Sequence, residues 1–427
     1  MRNDPRTLNG WALFDWANSA FALVITTAIF PGYFEAMVDD EFSVLGVQFT
    51  DSSWFAYLIS FSYGVIALLS PLLSGIADAG GQRKTFLRWF TTLGGLGCLS
   101  LFFFDGMDTM WLGSLGFVIG LIGFAGGLVF YNSFLPVIAT PDRFDRLSAR
   151  GFAMGYVGSV ILLVVNLMMI QQPGWFGLPE EGTLRLRLAF VSVGVWWLVF
   201  AYVSLTRLPK DERIRGQSVT AMARRGWREV RATAARAGQQ PRIKQFLSAF
   251  FCYSAGAQTV IFLAAIFATK ELGFETAELI VVVLILQILA IGGAYLAARI
   301  SEARGNVAAL YFELAIWTLI CLAAYFVSAP VQFYVLAGFV GLVMGGIQSM
   351  SRSTYAKVIP QDTEDTTSWF SFYDVLEKVA IVLGTFIFGF LDAITGSMRV
   401  SVVVLAVFFV GGMLLLRGLR VGRGETD

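Results

Sequence analysis

The sequence predicts an all-α membrane protein of twelve transmembrane helices in two six-helix bundles, from its composition, its apolar runs and an internal repeat. Of the 427 residues, 56% are hydrophobic and only 14% are charged, whereas about 25% of a typical soluble domain is charged. So little charge over so long a chain leaves too little polar surface to cover a water-soluble globule. A soluble enzyme, a disulfide-rich secreted domain, a collagen-like fibre and a disordered chain are therefore excluded.

The apolar runs have the length of membrane-spanning helices. Such a helix needs about 20 mostly apolar residues, because the hydrocarbon layer is about 30 Å thick. The runs are long and continuous, which favours helices over the short alternating strands of a membrane barrel. The first run is too long for a cleaved signal peptide, and no small-residue cleavage site follows it. The predicted spans are 10–36, 52–77, 86–104, 110–138, 149–171, 187–206, 245–268, 275–298, 308–328, 331–357, 367–391 and 399–417.

One connector is much longer than the others and divides the spans into six and six. It contains eleven Lys and Arg residues but only three Asp and Glu residues. The predicted domains are an N-terminal six-helix bundle at 1–206, a basic cytoplasmic linker at 207–244 and a C-terminal six-helix bundle at 245–427. Within the linker, residues 219–237 combine apolar residues at helical spacing with a group of arginines. This pattern fits either a basic helix on the inner leaflet or a solvated tether that enforces topology.

The distribution of basic residues predicts that both termini are cytoplasmic, because Lys and Arg are retained on that side of a membrane. With this orientation, the termini and the even-numbered connectors carry 25 of the 31 Lys and Arg residues. The outer connectors carry four, and Arg352 and Lys378 lie within spans. The reversed orientation would need the opposite bias and is rejected. The outer connector at 37–51 contains Asp39, Asp40 and Glu41 and no basic residue.

Similar segments recur at equivalent places in the two halves. Residues 75–84 after the second span and 298–305 after the eighth span each place an acid three residues before a glycine. The segments that end the fourth and tenth spans, 134–142 and 355–362, are also similar. A six-helix unit used twice is typical of transporters whose halves rock around a central site. The repeat therefore predicts two pseudo-symmetric bundles.

Ionisable residues inside the spans are costly and rare, and they mark functional sites by default. In this chain, three groups combine an ionisable residue with a second polar or charged residue at i, i+3 or i, i+4. This spacing places the two members of each pair on one helical face. Neutral polar residues recur on the fourth, fifth, seventh and eighth spans. The pairs are Asp15 with Asn18, Gln348 with Arg352, and Asp374 with Lys378, which has Glu377 beside it; the neutral residues are Asn132, Asn166, Gln258 and Gln287.

Each of these charges also has a structural interpretation. Asp374 and Lys378 can satisfy each other within one helix. Asp15 can bond the end of a neighbouring helix. The planar guanidinium of Arg352 suits a carboxylate or a phosphate, but it can also form a gate ion pair with Asp15 or with an acid on the eleventh span. Glu313, on the ninth span, is expected near the cytoplasmic end, where its carboxylate reaches the interface.

The connector after the second span resembles the loop 2–3 motif of the major facilitator superfamily, Gly-x-x-x-Asp-x-x-Gly-x-[Arg/Lys]. Asp78, Gly81 and Arg83 match it, whereas Gln82 stands where a second basic residue is common. The resemblance implies the major facilitator fold, in which spans 1, 4, 7 and 10 line the central cavity. It also implies a cytoplasmic gate at the three matching residues and, in the second copy, at Glu302.

Three further segments resemble a narrower branch of that superfamily, the vacuole-effluxer-like (autophagy-related amino-acid effluxer-type) family. They read Trp-Ala-Leu-Phe-Asp-Trp-Ala-Asn-Ser-Ala-Phe at 11–21, Gly-Ile-Gln-Ser-Met-Ser-Arg-Ser at 346–353 and Phe-Tyr-Asp-Val-Leu-Glu-Lys at 372–378. The resemblance implies a bacterial member in the inner membrane, and eukaryotic members are associated with amino-acid efflux from the vacuole. Glu377 departs from the small residue expected before the lysine. The positions carried over are Asp15, Asn18, Gln348, Arg352 and Lys378.

These observations together predict a secondary transporter that moves a small polar or zwitterionic solute, such as an amino acid, by alternating access. Export and proton coupling are expected. Arg352 would bind a carboxylate and Asp15 an ammonium group, by charge complementarity. Because the chain has no His, a coupling proton falls to Asp15, Asp374 or Glu377. The predicted substrate-binding residues are Asp15, Asn18, Asn132, Gln258, Gln348, Arg352 and Lys378.

Composition also limits cofactors and partners. The net charge of +1 predicts no nucleic-acid partner. Cys98, Cys252 and Cys321 lie in apolar stretches, so neither a disulfide nor a metal site is predicted. The sequence shows no nucleotide-binding loop, so transport driven by ATP is not expected. We expect a monomer in a lipid bilayer, with a small-molecule substrate, a proton or other coupling ion and no cofactor. An exporter of amphiphiles or drugs and a non-transporting assembly or sensor protein remain as alternatives, and an enzyme is the poorest interpretation.

Overall fold

A computed structural model describes residues 2–44, 46–212, 219–361 and 363–421. Within these residues, twelve helices are long and apolar enough to cross a membrane, judged by length and composition. The prediction of a helical membrane protein with twelve spans is confirmed. Residues 213–218 of the predicted linker and Asp362 of the repeated segment lie outside the described residues. The spans are numbered 1 to 12 in chain order and comprise Pro5–Met37, Asp51–Gly80, Arg83–Phe103, Met107–Ile138, Pro141–Gln171, Leu184–Arg207, Pro241–Leu272, Ala277–Arg304, Asn306–Ala324, Pro330–Val358, Thr366–Thr395 and Met398–Leu416.

The first six spans include two irregular helices. Span 1 (Pro5–Met37) passes through a π-helical stretch, and span 4 (Met107–Ile138) is interrupted after Asn132. Wide or broken helical turns of this kind are frequent at functional sites. The α-helices are Pro5–Ala20, Phe30–Met37, Asp51–Gly80, Arg83–Ser100, Met110–Asn132, Leu135–Ile138, Phe144–Gln171 and Leu184–Arg207, with the π-helix Phe21–Ile29 and the 3-10 turns Leu101–Phe103, Met107–Thr109, Pro141–Arg143 and Pro173–Phe176.

The helices of the second half start and end with the residues expected at helix termini. Pro241 and Pro330 each occupy a first helical turn, where the missing N–H has no intrahelical partner to lose. Gly273 and Gly396 end spans 7 and 11 with φ of 69° and 61°, a backbone conformation that favours glycine. The α-helices are Val219–Gln239, Pro241–Leu272, Thr276–Arg304, Asn306–Ala324, Pro330–Val358, Thr366–Thr395, Met398–Val404 and Ala406–Leu416.

Packing divides the chain into two compact units. The N-terminal unit comprises Pro5–Asn132 and Met154–Trp227. The C-terminal unit comprises Met1–Asp4, Ser133–Ala153 and Arg228–Asp427. The end of span 4 and the start of span 5 therefore pack within the C-terminal unit, although they belong to the first half of the sequence.

Small residues bring helices close together in both units. In the N-terminal unit, a Cβ added at Gly97 of span 3 would lie 2.5 Å from the backbone nitrogen of Gly120 in span 4. In the C-terminal unit, a Cβ at Gly345 of span 10 would lie 2.0 Å from the carbonyl oxygen of Ala290 in span 8. Membrane helices pack tightly through such residues, because lipid supplies no hydrophobic drive between helices. The 44 glycines of the chain are thus partly explained by helix packing.

The linker contains a helix, Val219–Gln239, as the helical spacing of 219–237 indicated. Gly226 is buried in the N-terminal unit, where a Cβ would lie 2.6 Å from the backbone nitrogen of Ile76. Thr233 is buried in the C-terminal unit and donates to Asp365 Oδ2 at 2.8 Å. One face of this helix is therefore packed on protein, which neither sequence interpretation of the linker included.

The connector between spans 1 and 2 forms a short antiparallel hairpin that the sequence analysis did not predict. Its strands are Glu41–Val44 and Val47–Thr50, paired from Glu41 with Thr50 to Val44 with Val47. Gly46 lies in the turn with φ of 81°, as tight hairpin turns require. Strands of four residues are too short to give a clear alternating pattern in the sequence.

Candidate functional site

The span 1 motif is organised around one tyrosine of span 4. In the N-terminal unit, the hydroxyl of Tyr131 donates to Asp15 Oδ2 at 2.7 Å. The rings of Trp11 and Phe14 stack on the Tyr131 ring, with centroids 4.6 and 4.8 Å from it. Asp15 is only 4% exposed. The spacing Trp-x-x-Phe-Asp thus builds a box of aromatic rings around Tyr131, and the Tyr131 hydroxyl is held against the buried carboxylate of Asp15.

The interruption of span 4 supplies a further contact to this box. The helix ends at Asn132, so the carbonyl of Tyr131 lies in the last turn, where helical carbonyls have no partner within the helix. The indole Nε1 of Trp11 donates to this carbonyl at 3.0 Å. Asn132, a predicted substrate-binding residue, is half-buried at the same helix end. Interrupted helices carry the polar groups of many transporter sites.

Asn18 adds an unsatisfied acceptor one turn beyond Asp15. It is 2% exposed, and its Oδ1 has no hydrogen-bond partner within the described residues. A buried polar group without a partner costs about 1–3 kcal/mol, so a water or a solute donor would stabilise this position. Asp15 and Asn18 therefore present oxygen acceptors on one helical face, an arrangement that suits an ammonium group. The π-helical stretch Phe21–Ile29 begins three residues later.

Arg352 of span 10 is the oriented cation of the C-terminal unit. It is 2% exposed, and its Nε and one Nη donate to the hydroxyl and the carbonyl of Ser148, both at 2.9 Å. The Ser148 hydroxyl donates onward to the carbonyl of Ser349 at 2.8 Å. The guanidinium carbon lies 4.1 Å from the centroid of the Phe152 ring. These contacts fix the plane of the guanidinium, as recognition of a carboxylate requires. Gln348, one turn earlier, is half-buried.

Span 11 carries a compact group of charges. Lys378 donates to Asp374 Oδ1 one turn earlier, and their side chains are 7% and 5% exposed. Asp374 Oδ2 has no partner in the part of the chain that the structure describes. Glu377 accepts a hydrogen bond from Gln258 Nε2 of span 7 at 3.2 Å. The intrahelical pair expected from the i, i+4 spacing is present, and one carboxylate oxygen of the pair can still accept a proton.

The four predicted gate residues fall into two groups. In the N-terminal unit, an Nη of Arg83 lies 3.5 Å from Asp78 Oδ1, and Gly81 ends the span 2 helix with φ of 60°. In the C-terminal unit, Arg146 donates twice to Glu302, at 3.0 and 2.9 Å. The side chains of this second pair are 75% and 38% exposed. Arg146 was not indicated by the sequence motif.

The family of the chain follows from a comparison with known families. A model of the "Vacuole effluxer Atg22 like" family matches residues 3–427. The chain belongs to the Atg22-like family. Similar relatives include the uncharacterized MFS-type transporter YxiO of Bacillus subtilis, 29% identical over 97% of this chain and 95% of that protein. Autophagy-related protein 22 of Eremothecium gossypii is 25% identical over 99% of this chain and 92% of that protein.

Solved structures confirm the major facilitator fold of this Atg22-like protein. The crystal structure of the major facilitator transporter FucP in the outward conformation has a TM-score of 0.72 and 15% identity, covering 98% of this chain and 99% of that one. The human organic anion transporter MFSD10 has a TM-score of 0.73 and 12% identity, covering 98% of this chain and 100% of that one. At such low identity, the likeness shows the fold alone.

A buried ion pair in the Atg22-like chain was missed by the sequence analysis. Lys357 Nζ lies 2.6 Å from Asp145 Oδ2, and their side chains are 11% and 6% exposed. Asp145 also accepts from Ser301 and Asn306, both at 2.8 Å. The amide oxygen of Asn306 accepts from Lys357 at 2.8 Å. Asp145 follows the segment that ends span 4, and Lys357 lies in the similar segment that ends span 10. The similarity of these two segments was the signal in the sequence that pointed to this region.

Glu313 of span 9 does not reach the interface, so this expectation was wrong. It is 2% exposed, and its Oε1 lies 2.2 Å from where a Cβ at Gly346 would be placed. Its Oε2 has no hydrogen-bond partner within the described residues. The glycine beside the span 10 motif therefore makes room for a buried acid. The two residues lie on different helices, so spacing along the sequence could not indicate this contact.

The described side chains offer ion pairing, hydrogen bonding and proton exchange. Within the described ranges, no group of three or more His, Cys, Asp or Glu residues could hold a metal ion. Cys98, Cys252 and Cys321 are free thiols.

Proposed function

We propose that this protein is a secondary transporter that exports a small zwitterionic solute, an amino acid in the first instance, by alternating access and with proton coupling. Its place is the bacterial inner membrane, with both termini cytoplasmic, which the distribution of Lys and Arg supports. The main support is a pair of buried, hydrogen-bonded charges of opposite sign: Asp15 in the N-terminal unit and Arg352 in the C-terminal unit. The signs of these charges are those that a zwitterion requires.

Asp15 and Asn18 are assigned to the ammonium group of the solute. Tyr131 holds the Asp15 carboxylate in place by one hydrogen bond, and Asn18 Oδ1, which has no partner within the described residues, supplies a second acceptor. Both positions are at least nine-tenths buried, so water competes weakly for the ammonium. Charge-assisted hydrogen bonds are the strongest available to such a group.

Arg352 is assigned to the carboxylate of the solute, with Gln348 as a neighbouring amide. Contacts with Ser148 and Phe152 hold the guanidinium in one plane, so binding a carboxylate costs little side-chain entropy. The remaining predicted contacts are assigned to polar groups of the solute other than its ammonium and carboxylate. They are Asn132, Gln258 and Lys378.

Proton coupling is assigned to Asp15, Asp374 and Glu377. Asp374 binds Lys378 through one oxygen and has its other oxygen unpartnered within the described residues. A proton on Asp374 removes the negative charge that holds Lys378. Protonation therefore changes which charges span 11 presents, and this is the type of differential interaction that can drive a conformational change.

The two ion-paired groups at the connectors are assigned to the cytoplasmic gate. Asp78, Gly81 and Arg83 form one group and Glu302 with Arg146 the other. The Glu302–Arg146 pair is exposed, and exposed pairs contribute only about 0–1 kcal/mol. The Glu302–Arg146 pair can therefore open and close without a large free-energy barrier. The vacuole-effluxer name of the family supports efflux, and the MFS-type transporter name of the Bacillus relative supports transport.

One transport experiment tests the proposal. Purified protein is reconstituted into proteoliposomes that are loaded with labelled amino acids or with a labelled cationic amphiphile. Efflux is followed with and without a proton gradient. Asp15→Asn and Arg352→Lys should each reduce the efflux rate by at least about tenfold, because the first removes the negative charge that meets the ammonium and the second removes the planar fork that pairs with the carboxylate. Asp39→Asn and Arg304→Lys, which alter exposed residues with the same chemistry, should leave the rate unchanged.

Several outcomes would contradict the proposal. Efflux that is unaffected in both site variants would remove the assigned roles. Efflux of cationic amphiphiles without any amino-acid efflux would favour the drug-exporter alternative. A protein that moves none of these solutes under any gradient would favour the non-transporting alternative.

A further inference from the structure

We propose that the cytoplasmic ends of spans 3 and 6 form a binding site for the headgroup of an anionic phospholipid. This site lies within the N-terminal unit and is separate from the residues assigned to the transported solute. It is a pocket of about 260 Å³, slightly smaller than the 300–1,000 Å³ of pockets for drug-sized ligands. Its lining residues are Lys84, Thr85, Arg88, Leu205, Lys210 and Asp211.

The one acid of the pocket is already occupied by the start of span 3. The Asp211 carboxylate accepts from the backbone N–H groups of Lys84 and Thr85, at 2.8 and 2.9 Å, and from the Thr85 hydroxyl at 2.6 Å. These donors satisfy the first turn of the helix, which has no acceptors within the helix itself. Asp211 therefore caps the helix, and its single negative charge can balance only one of the neighbouring cations.

Three cations share this pocket with that single carboxylate. Lys84 is held in place because its Nζ donates to the carbonyl of Leu208 at 2.9 Å. Arg88 and Lys210 are exposed, and the ion pairs of the described residues include neither of them. The pocket thus has an excess of positive charge at a place where two donors can move toward an incoming anion. A phosphate group satisfies both the charge and the hydrogen-bonding capacity of Lys and Arg.

The surface beside the pocket indicates that this phosphate belongs to a lipid. Trp89 and Leu96 of span 3 are 70% and 55% exposed, and Val199 of span 6 is 53% exposed. Within membrane spans, such exposed apolar side chains contact acyl chains. Trp residues are enriched at the level of the headgroups, and Trp89 directly follows Arg88 in the sequence. A free phosphate would use the cations but would gain nothing from this apolar surface.

The predicted orientation places this pocket on the inner leaflet. Its residues lie beside connectors that are predicted to be cytoplasmic from the distribution of Lys and Arg. Basic pockets between spans on that side commonly bind lipid headgroups. A zwitterionic headgroup carries no net negative charge, so an anionic headgroup is the better match for the excess of cations.

The test measures lipid binding by the purified full-length protein in detergent. Native mass spectrometry and thermal unfolding are recorded with dioleoyl-phosphatidylglycerol, with dioleoyl-phosphatidylcholine and with inorganic phosphate. Phosphatidylglycerol should bind and raise the unfolding temperature more than the other two. The double variant Arg88→Gln/Lys210→Gln should weaken phosphatidylglycerol binding by about tenfold or more, since two cations near an anionic headgroup are lost.

A matched control removes the same number of charges elsewhere on the same side. Arg242→Gln/Lys244→Gln alters two exposed cations at the start of span 7 and should change binding by less than about threefold. Lys210→Gln alone, in a connector, provides a milder variant if the double variant is poorly folded, and it should still weaken binding measurably. The proposal is overturned if phosphatidylcholine binds equally well, if inorganic phosphate gives the same stabilisation, if Lys210→Gln binds as wild type does, or if the control variant loses as much binding as the pocket variant.

Discussion

Removal of the Asp145 carboxylate should destabilise the protein far more than removal of the neighbouring Arg146 side chain. Asp145 accepts hydrogen bonds from Lys357, Ser301 and Asn306. In Asp145→Ala, Lys357 loses its counter-ion while its side chain is only 11% exposed. Its one remaining contact among these residues is the amide oxygen of Asn306. Breaking a buried ion pair by removing one partner costs about 3–5 kcal/mol, and this is the loss expected for Asp145→Ala.

Arg146→Ala is the matched control, because it breaks an ion pair at the adjacent position of the same helix. The side chains of Arg146 and Glu302 are 75% and 38% exposed. Exposed pairs contribute about 0.2–1 kcal/mol, so the control should lose no more than that. The double variant Asp145→Ala/Lys357→Met should regain much of the stability, because it leaves no buried charge without a partner.

The free energy of unfolding of each variant can be measured by denaturant titration in detergent, with tryptophan fluorescence as the signal. Equal losses in Asp145→Ala and Arg146→Ala would refute the assignment of a strong buried pair. A double variant that is no more stable than Asp145→Ala would show that Lys357 is not the group left uncompensated.

Two further substitutions test the site and the packing. Tyr131→Phe removes the hydrogen bond to Asp15 and keeps the ring, so KM for the transported solute should rise about three- to tenfold. Tyr33→Phe removes a hydroxyl bonded to a backbone carbonyl elsewhere and should leave KM unchanged in the same efflux assay. Gly345→Ala places a Cβ 2.0 Å from a backbone oxygen of span 8 and should cost about 1–3 kcal/mol, whereas Gly292→Ala, with open space around it, should not lower the unfolding temperature. An equal change of KM in the two tyrosine variants would contradict the role of the Tyr131–Asp15 hydrogen bond. An equal loss of stability in the two glycine variants would contradict the close packing at Gly345.

Features that depend on neighbouring residues in the sequence were predictable. The twelve spans follow from continuous apolar length, and the Asp374–Lys378 pair follows from its i, i+4 spacing. The helix at Val219–Gln239 likewise follows from periodicity. In each case the helix itself sets the distance between the residues, so the sequence contains the geometry.

Contacts between distant segments were not predictable from one sequence. Tyr131 and Asp15 are 116 positions apart, and Arg352 and Ser148 are 204 positions apart. Periodicity shows which face of a helix is polar, but it does not show which other helix that face meets. The same limit hid the partner of Asp145 and led to the wrong expectation for Glu313, whose burial depends on a glycine of span 10.

The most direct test of the central claim compares the binding of three related ligands to wild type and to two variants. The ligands are the amino acid that wild type transports best, its amide and its deaminated acid, with binding measured by ligand-induced stabilisation of wild type, Arg352→Gln and Asp15→Asn. Wild type should prefer the intact amino acid over both analogues. Arg352→Gln should lose only the preference over the amide, and Asp15→Asn only the preference over the deaminated acid. If both variants keep the wild-type order of preference, Asp15 and Arg352 do not bind the two ends of the solute.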